Sequence, residues 1–261
     1  MRAKRFTWLM LFPVFLLAPA APAVGQMPDR PSPSGFQMGL GFEYFSQTIA
    51  WNDLDAERTS EMTSALASLV LGYKIQPGFY LAAIVGYSSS NFGGLIFRHL
   101  PFSTVMAGGG MNGPLLGAEL SVSIFRGRMI GLDASGQVLA YFGTARTSEL
   151  PGLAVSGDAE STPSWMRATA GPVIRIGRSA GFRPYIYPNF RYLKGKYEVS
   201  ETVQNLKGRE KKDITGQGQI GLSAGAEIGL SEKFFLRAEG GLYPLKDGND
   251  YTVNIKMQFG F

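Results

Sequence analysis

From Gly35 to the C-terminus, apolar residues recur at every second position in nine clear segments, and the apolar face of these segments carries no charge. A period of two is the spacing of side chains along a β-strand, whose successive residues point to opposite faces. The last segment shows it best. Tyr251, Val253, Ile255, Met257, Phe259 and Phe261 alternate with Thr252, Asn254, Lys256, Gln258 and Gly260. The same alternation runs through Phe36–Tyr44, Ala65–Ile75, Phe79–Tyr87, Leu116–Ile124, Ile130–Ala140, Met166–Ile176, Ile220–Ile228 and Phe234–Leu242. A tenth segment, Pro184–Tyr197, is blurred by prolines and tyrosines.

The opposite face is mixed, with Gly, Ser, Glu, Arg, Lys and Gln in similar numbers. A soluble barrel of the lipocalin kind puts its apolar face inward and its polar face outward. An apolar face that never admits a charge fits hydrocarbon better, because Arg or Lys at the bilayer midplane costs about 2–4 kcal/mol. Charged residues form only 17% of the chain, below the ~25% usual for soluble domains. Backbone groups in lipid find partners only in helices or in closed sheets. Beyond the N-terminus no apolar run reaches the ~18 residues of a membrane helix. The expected fold is therefore all-β: an antiparallel, up-and-down transmembrane β-barrel of about ten strands, with eight as the alternative.

Connections alternate in length. Short turns are expected at 76–78, 126–128, 178–182 and 231–233, and longer polar loops at 52–62, 91–111, 144–163 and 199–216, with a shorter one at 246–250. Short periplasmic turns and long external loops are the layout of such barrels. Aromatic residues near the strand ends (Tyr44, Phe45, Trp51, Tyr73, Phe79, Tyr87, Phe125, Tyr141, Phe142, Trp165, Phe234, Tyr243) suggest girdles at both interfaces, or core packing for some of them. Pro172 and Pro188 fall inside strand patterns and call for a bulge.

The N-terminus reads as an export signal. Arg2, Lys4 and Arg5 precede an apolar stretch, Phe6–Leu17, and a region of small residues that offers cleavage after Ala23 or Gly25. Residues 1–25 are the expected signal peptide, 26–34 an extended periplasmic lead-in rich in proline, and 35–261 the barrel. The net charge of +5 falls to 5 − 3 = +2 without the leader cations, and no basic face points to nucleic acid. Cysteine is absent, which excludes disulfides, thiolate metal sites, a Cys nucleophile and a lipoprotein anchor.

With these features the chain resembles the small outer-membrane β-barrel proteins of Gram-negative bacteria, the OmpA-like and OmpX-like group in the broad sense. The motif that carries the resemblance is the final strand, YTVNIKMQFGF, ending in Phe261. The resemblance implies that Tyr251, Val253, Ile255, Met257, Phe259 and Phe261 form the signal read by the barrel-assembly machinery. It also implies outer-membrane lipids and lipopolysaccharide as partners. The chain departs from the smallest members in its expected strand number, and no peptidoglycan-binding domain is expected.

On this register Glu43, Lys74, Glu119, Asp133, Arg167, Arg175, Arg191, Glu227, Arg237, Glu239 and Lys256 point into the barrel. Their near balance of sign suggests a paired network that closes a narrow lumen, and a small gated pore is the alternative. His99, the only histidine, has no HxS pattern beside it, and Ser103 is the nearest downstream serine. A catalytic base needs a hydrogen-bonded partner, so a solvated His99 is the expectation, and an outer-leaflet lipid-modifying enzyme the remote alternative. Asp53, Asp55 and Glu57 lack the glycine and closing glutamate of a calcium loop. Lys207, Arg209, Lys211 and Lys212 form a basic fourth loop suited to lipid phosphates. Gly108-Gly109-Gly110 lacks the Lys-Ser/Thr of a phosphate loop. No cofactor, no metal and no nucleic acid are expected, and the chain reads as a monomeric barrel with a structural or surface-interaction role.

Overall fold

The computed structural model describes residues 35–261 except 54–55, 77, 102–103, 108, 128, 151–156, 178–180, 232 and 247. The leader 1–25 and the lead-in 26–34 lie outside the described residues. Thirteen strands are described. They are β1 (Phe36–Asp53), β2 (Ala56–Gln76), β3 (Phe79–Phe97), β4 (Thr104–Ala107), β5 (Met111–Arg126), β6 (Ile130–Phe142) and β7 (Arg146–Glu149). After them come β8 (Gly157–Ile176), β9 (Phe182–Val203), β10 (Leu206–Gly216), β11 (Ile220–Gly229), β12 (Phe234–Leu245) and β13 (Gly248–Gly260).

Ten of them close a ring, β1-β2-β3-β5-β6-β8-β9-β11-β12-β13, with every neighbour antiparallel and β13 pairing back on β1 from Gln37↔Gly260 to Ser46↔Tyr251. β4 and β7 are short hairpin partners of β3 and β8. The expected outward residues do face out. Leu69, Leu120, Leu222 and Ile255 are 37–54% exposed, while Glu119 is 8% exposed inside the ring. The exposed apolar belt runs on β1 from Phe36 to Tyr44, on β3 from Leu81 to Tyr87 and on β8 from Met166 to Ile176.

The strands do not stop at the belt. β9 has 22 residues and β2 has 21, about twice the 9–11 that a bilayer crossing needs. Four segments expected as loops, 52–62, 91–111, 144–163 and 199–216, are largely strand. β1–β2 stays in register to Asp53↔Ala56, and β9–β10 to Leu206↔Val203. Together these extensions build a collar beyond the belt. Its outer face is polar, so neither face there shows the uncharged apolar run that marks a lipid-facing strand.

At the collar the apolar residues change sides. On β1 the even residues Phe36–Tyr44 face lipid, but the odd Phe45, Ile49 and Trp51 are buried inside. On β9 Ile186 and Phe190 face out, whereas Leu193, Tyr197 and Val199 are buried inside. Water replaces lipid outside the collar, so its apolar side chains turn inward as in a soluble sheet. Five residues expected in the interfacial girdles (Phe45, Trp51, Tyr141, Trp165, Tyr243) are therefore interior packing, while Tyr44, Tyr73, Tyr87, Phe125 and Phe142 are outward.

The expected bulge at the prolines is absent. β8 and β9 keep one register from Gly157↔Val203 to Ala170↔Phe190 and again at Ile174↔Ile186. On that register Pro172 stands opposite Pro188, at the centre of a gap in the ladder that spans Gly171–Val173. Two residues that cannot donate share one gap in the ladder, so neither proline forces a bulge elsewhere on the strands.

β10 and β11 are two halves of one strand, since both run antiparallel to β9, with Gly218 at φ 65° between them. β11 continues in the ten-stranded wall. β10 instead pairs directly with β1 over Ile49–Trp51. The ring thereby drops β12 and β13 and narrows towards eight strands at the collar.

Candidate functional site: the closed lumen

The lumen is filled in layers. In the collar Trp165 lies edge-on to Phe45 at 5.6 Å and stacks on Tyr141 at 5.4 Å. The indole Nε1 donates to Ser90 Oγ at 3.0 Å, and the Tyr141 hydroxyl donates to the Met111 carbonyl at 2.5 Å. Ser64, Ser88 and Ser90 share hydroxyl hydrogen bonds beside them. Above this layer Tyr197 meets both Phe92 and Phe97. These rings come from β1, β3, β6, β8 and β9, so the cluster reaches across the barrel. An aromatic in such a place contributes both area and ring geometry, with its polar tip partnered.

The charged layer lies below. Arg167 pairs with Glu43 at 2.5 Å, and its guanidinium lies 4.5 Å from the Phe45 ring, joining the two layers. Lys256 pairs with Glu119. Arg237 donates from Nη2 to Glu239 at 2.7 Å and from Nε to the Tyr185 hydroxyl at 2.7 Å, and that hydroxyl donates to Glu239 at 2.7 Å. Nearer the periplasmic end Arg175 pairs with both Asp133 and Glu227. Lys74 faces inward at this end. These residues and Arg191 lie on the inward phase of their strands. A polar cavity of about 60 Å³ lies among Glu43, Glu119, Arg167, Arg191, Arg237 and Lys256, room for roughly four to six water molecules.

Arg191 is fully buried, and its partner was not foreseen. Its Nη2 donates to Asp250 Oδ2 at 2.7 Å while its guanidinium covers the Tyr243 ring at 3.7 Å. Asp250 also accepts from the backbone N–H and the hydroxyl of Thr48, at 2.8 and 2.9 Å. Next to it the Gln217 N–H donates to the Thr48 carbonyl at 2.8 Å. The ion pair therefore sits where β1 exchanges β13 for β10. Asp250 lay in an expected loop, yet it is in phase with the inward Thr252, Asn254 and Lys256, and that parity was the available signal.

At the rim, Lys212 is not part of an exposed basic loop. It points inward from β10 and pairs with Glu210 at 2.8 Å, both being 7% exposed. Glu210 also accepts the His99 backbone N–H at 2.7 Å. Burial pushes the Glu210 carboxyl up, but hydrogen bonds from Lys212 and His99 and the Lys212 charge outweigh it and hold the group below its ordinary range. The His99 side chain is exposed. Ser103 and Asp55 lie outside the described residues, and among the described residues no group of three His, Asp or Glu is placed to hold a metal ion.

The outer membrane protein beta-barrel domain family matches residues 62–261. The chain belongs to this family. That membership puts it in the bacterial outer membrane and agrees with the expected fold, though it does not single out the OmpA-like branch. No curated protein matches the chain. Among solved structures it is similar to the translocator domain of autotransporter NalP from Neisseria meningitidis, at 12% identity, 87% of this chain, 88% of that one and TM-score 0.47. It is similar also to the outer membrane protease OmpT from Escherichia coli, at 10% identity, 90% of this chain, 99% of that one and TM-score 0.47. Ail, the attachment invasion locus protein of Yersinia pestis, aligns at 10% identity, 87% of this chain, 99% of that one and TM-score 0.32.

Proposed function

We propose that this outer-membrane barrel does not conduct solutes and acts as a monomer through its outer surface, presenting a stiff collar above the membrane. The observation that carries this reading is the Phe45–Tyr141–Trp165 cluster across the lumen. A conduit needs a continuous polar path, and here a dry aromatic layer stands above a paired charged one. The polar cavity lies within the charged layer, and none of the three rings lines it.

The outer face of β9–β10 supports a phosphorylated lipid as the surface partner. Lys194, Lys196, Lys207, Arg209 and Lys211 point outward there against Glu198 and Asp213. Lys194 stands opposite Met166, at the upper edge of the apolar belt, where outer-leaflet phosphates lie. Charge-assisted hydrogen bonds to phosphate would anchor that sector. A non-enzymatic role is supported by the contact at His99, where the backbone amide meets Glu210 and Lys212 takes up the carboxylate.

Planar-bilayer recording of the refolded protein tests the closed lumen. The expected result is a bilayer that stays at its baseline conductance, and stable stepwise openings would overturn the proposal. For the lipid partner, vesicles with and without lipid A are compared. Lipid A should raise the unfolding temperature of the wild type, and that gain should shrink in a Lys194→Gln, Lys196→Gln, Lys211→Gln variant.

A further inference from the structure

One wall of the polar cavity is built of hydrogen-bond donors. Gln137, Thr169 and Arg191 stand side by side across β6, β8 and β9, and all three line the cavity. Arg167 is two residues before Thr169 on β8, so it lies diagonally beside Arg191 on the same inward face. Diagonal neighbours in a sheet are within reach of long side chains. Two guanidinium groups therefore share this wall with an amide and a hydroxyl.

Their counter-charges do not fill it. Each acid of the lining is matched by a cation of the lining: Glu43 by Arg167, Glu119 by Lys256 and Glu239 by Arg237. Arg191 is left over. Its own acid, Asp250, stands outside the lining, with one oxygen taken by Thr48 and the other by Arg191 Nη2. Arg191 is fully buried and Arg167 is 3% exposed. Yet among the described residues nothing accepts a hydrogen bond from Arg191 Nε or Nη1, or from Arg167 Nε. Stacking on Tyr243 and Phe45 covers a face of each guanidinium and offers its edge N–H groups no acceptor. Buried donors on a charged group are costly to leave unmatched.

We propose that this cavity is a binding site for a small monovalent anion of chloride size, held between Arg167 and Arg191. An anion accepts from several donors at once and balances the leftover cation of the lining, which a water molecule does not. Thr169 and Gln137 complete its shell from the neighbouring strands. The cavity of about 60 Å³ admits one such ion with a few waters. Bound there, the ion ties β8 to β9 from inside and stabilises the charged layer. The site stands on the interior geometry, whatever the lumen conducts.

Two measurements on the refolded protein test it. Crystals grown in sodium bromide, with data collected at the bromine absorption edge, locate the anion. The expected result is an anomalous peak in the cavity within hydrogen-bonding distance of Arg191 Nε or Nη1. In solution, urea unfolding is compared in sodium chloride and in sodium gluconate at equal ionic strength, gluconate being too large for the cavity. The unfolding constant should be about tenfold or more smaller in roughly 0.3 M chloride. Two variants should abolish that difference. Thr169→Met narrows the cavity and leaves both arginines in place, and the double variant Arg191→Gln, Asp250→Asn removes the leftover cation together with its acid, so that no lone charge stays buried. Four results would overturn the site: water alone in the cavity, bromide on exposed cations as an adventitious ion only, no difference between the two salts in the parent, or a chloride effect that persists in both variants.

Discussion

Single side chains decide how this barrel is held closed. Arg191 is buried without exposure and depends on Asp250 for its counter-charge. Removing one partner of a buried pair leaves an uncompensated charge and costs about 3–5 kcal/mol. Asp250→Ala should therefore lower the unfolding free energy, read from urea titration, by an amount in that range, and it should also loosen the seam, because Thr48 loses its acceptor. Glu210 lies in the collar, outside the membrane-spanning segments, and its carboxyl is held below its ordinary range. A depressed carboxylate stabilises the folded state above its unfolded pKa, and that contribution is lost as pH falls through the lower folded value. Proteinase K should thus nick the 93–107 hairpin faster below about pH 4 than at pH 7, the ordinary Glu pKa being about 4.3. In Glu210→Gln the pH dependence of nicking should flatten.

The strands carry two environments along one length. In the membrane, alternation was legible because hydrocarbon forbids charge on one face. Leu116, Ala118, Leu120, Val122 and Ile124 could be assigned outward from parity alone, and so could the inward Glu119 that pairs with Lys256. The collar was not legible by the same rule. There water wets the outer face, so Ser200 and Thr202 alternate with Val199 and Val203, which reads as a polar loop unless the inward phase is followed. The neighbouring pair Tyr44-Phe45, one outward and one inward, marks where the phase slips. Pro172 opposite Pro188 was unreadable for another reason, since each proline alone argues for a bulge and only the register brings them together. The ion-pair partners were legible only as a set: inward parity named eleven charges but could not say that Arg191 meets Asp250. An arginine in place of Leu120 should cost about 2–4 kcal/mol of folding free energy in vesicles, measured by urea titration.

As a whole the molecule is a membrane barrel below and a water-soluble β-structure above, sharing the same strands. The short β12–β13 hairpin ends near the belt, and β10 closes on β1 above it. This narrowing lets side chains fill the collar, as barrels near eight strands allow. Trp165→Ala should therefore cost about 3–5 kcal/mol, read as a lowered midpoint of urea unfolding. The account rests on lipid surrounding the outward face of the belt. A cysteine scan of β5 from Leu116 to Ser123, labelled with an environment-sensitive dye in vesicles containing a lipid-borne quencher, tests this most directly. The account predicts strong quenching at 116, 118, 120 and 122 and little at 117, 119, 121 and 123. Uniform quenching, or the opposite phase, would contradict it.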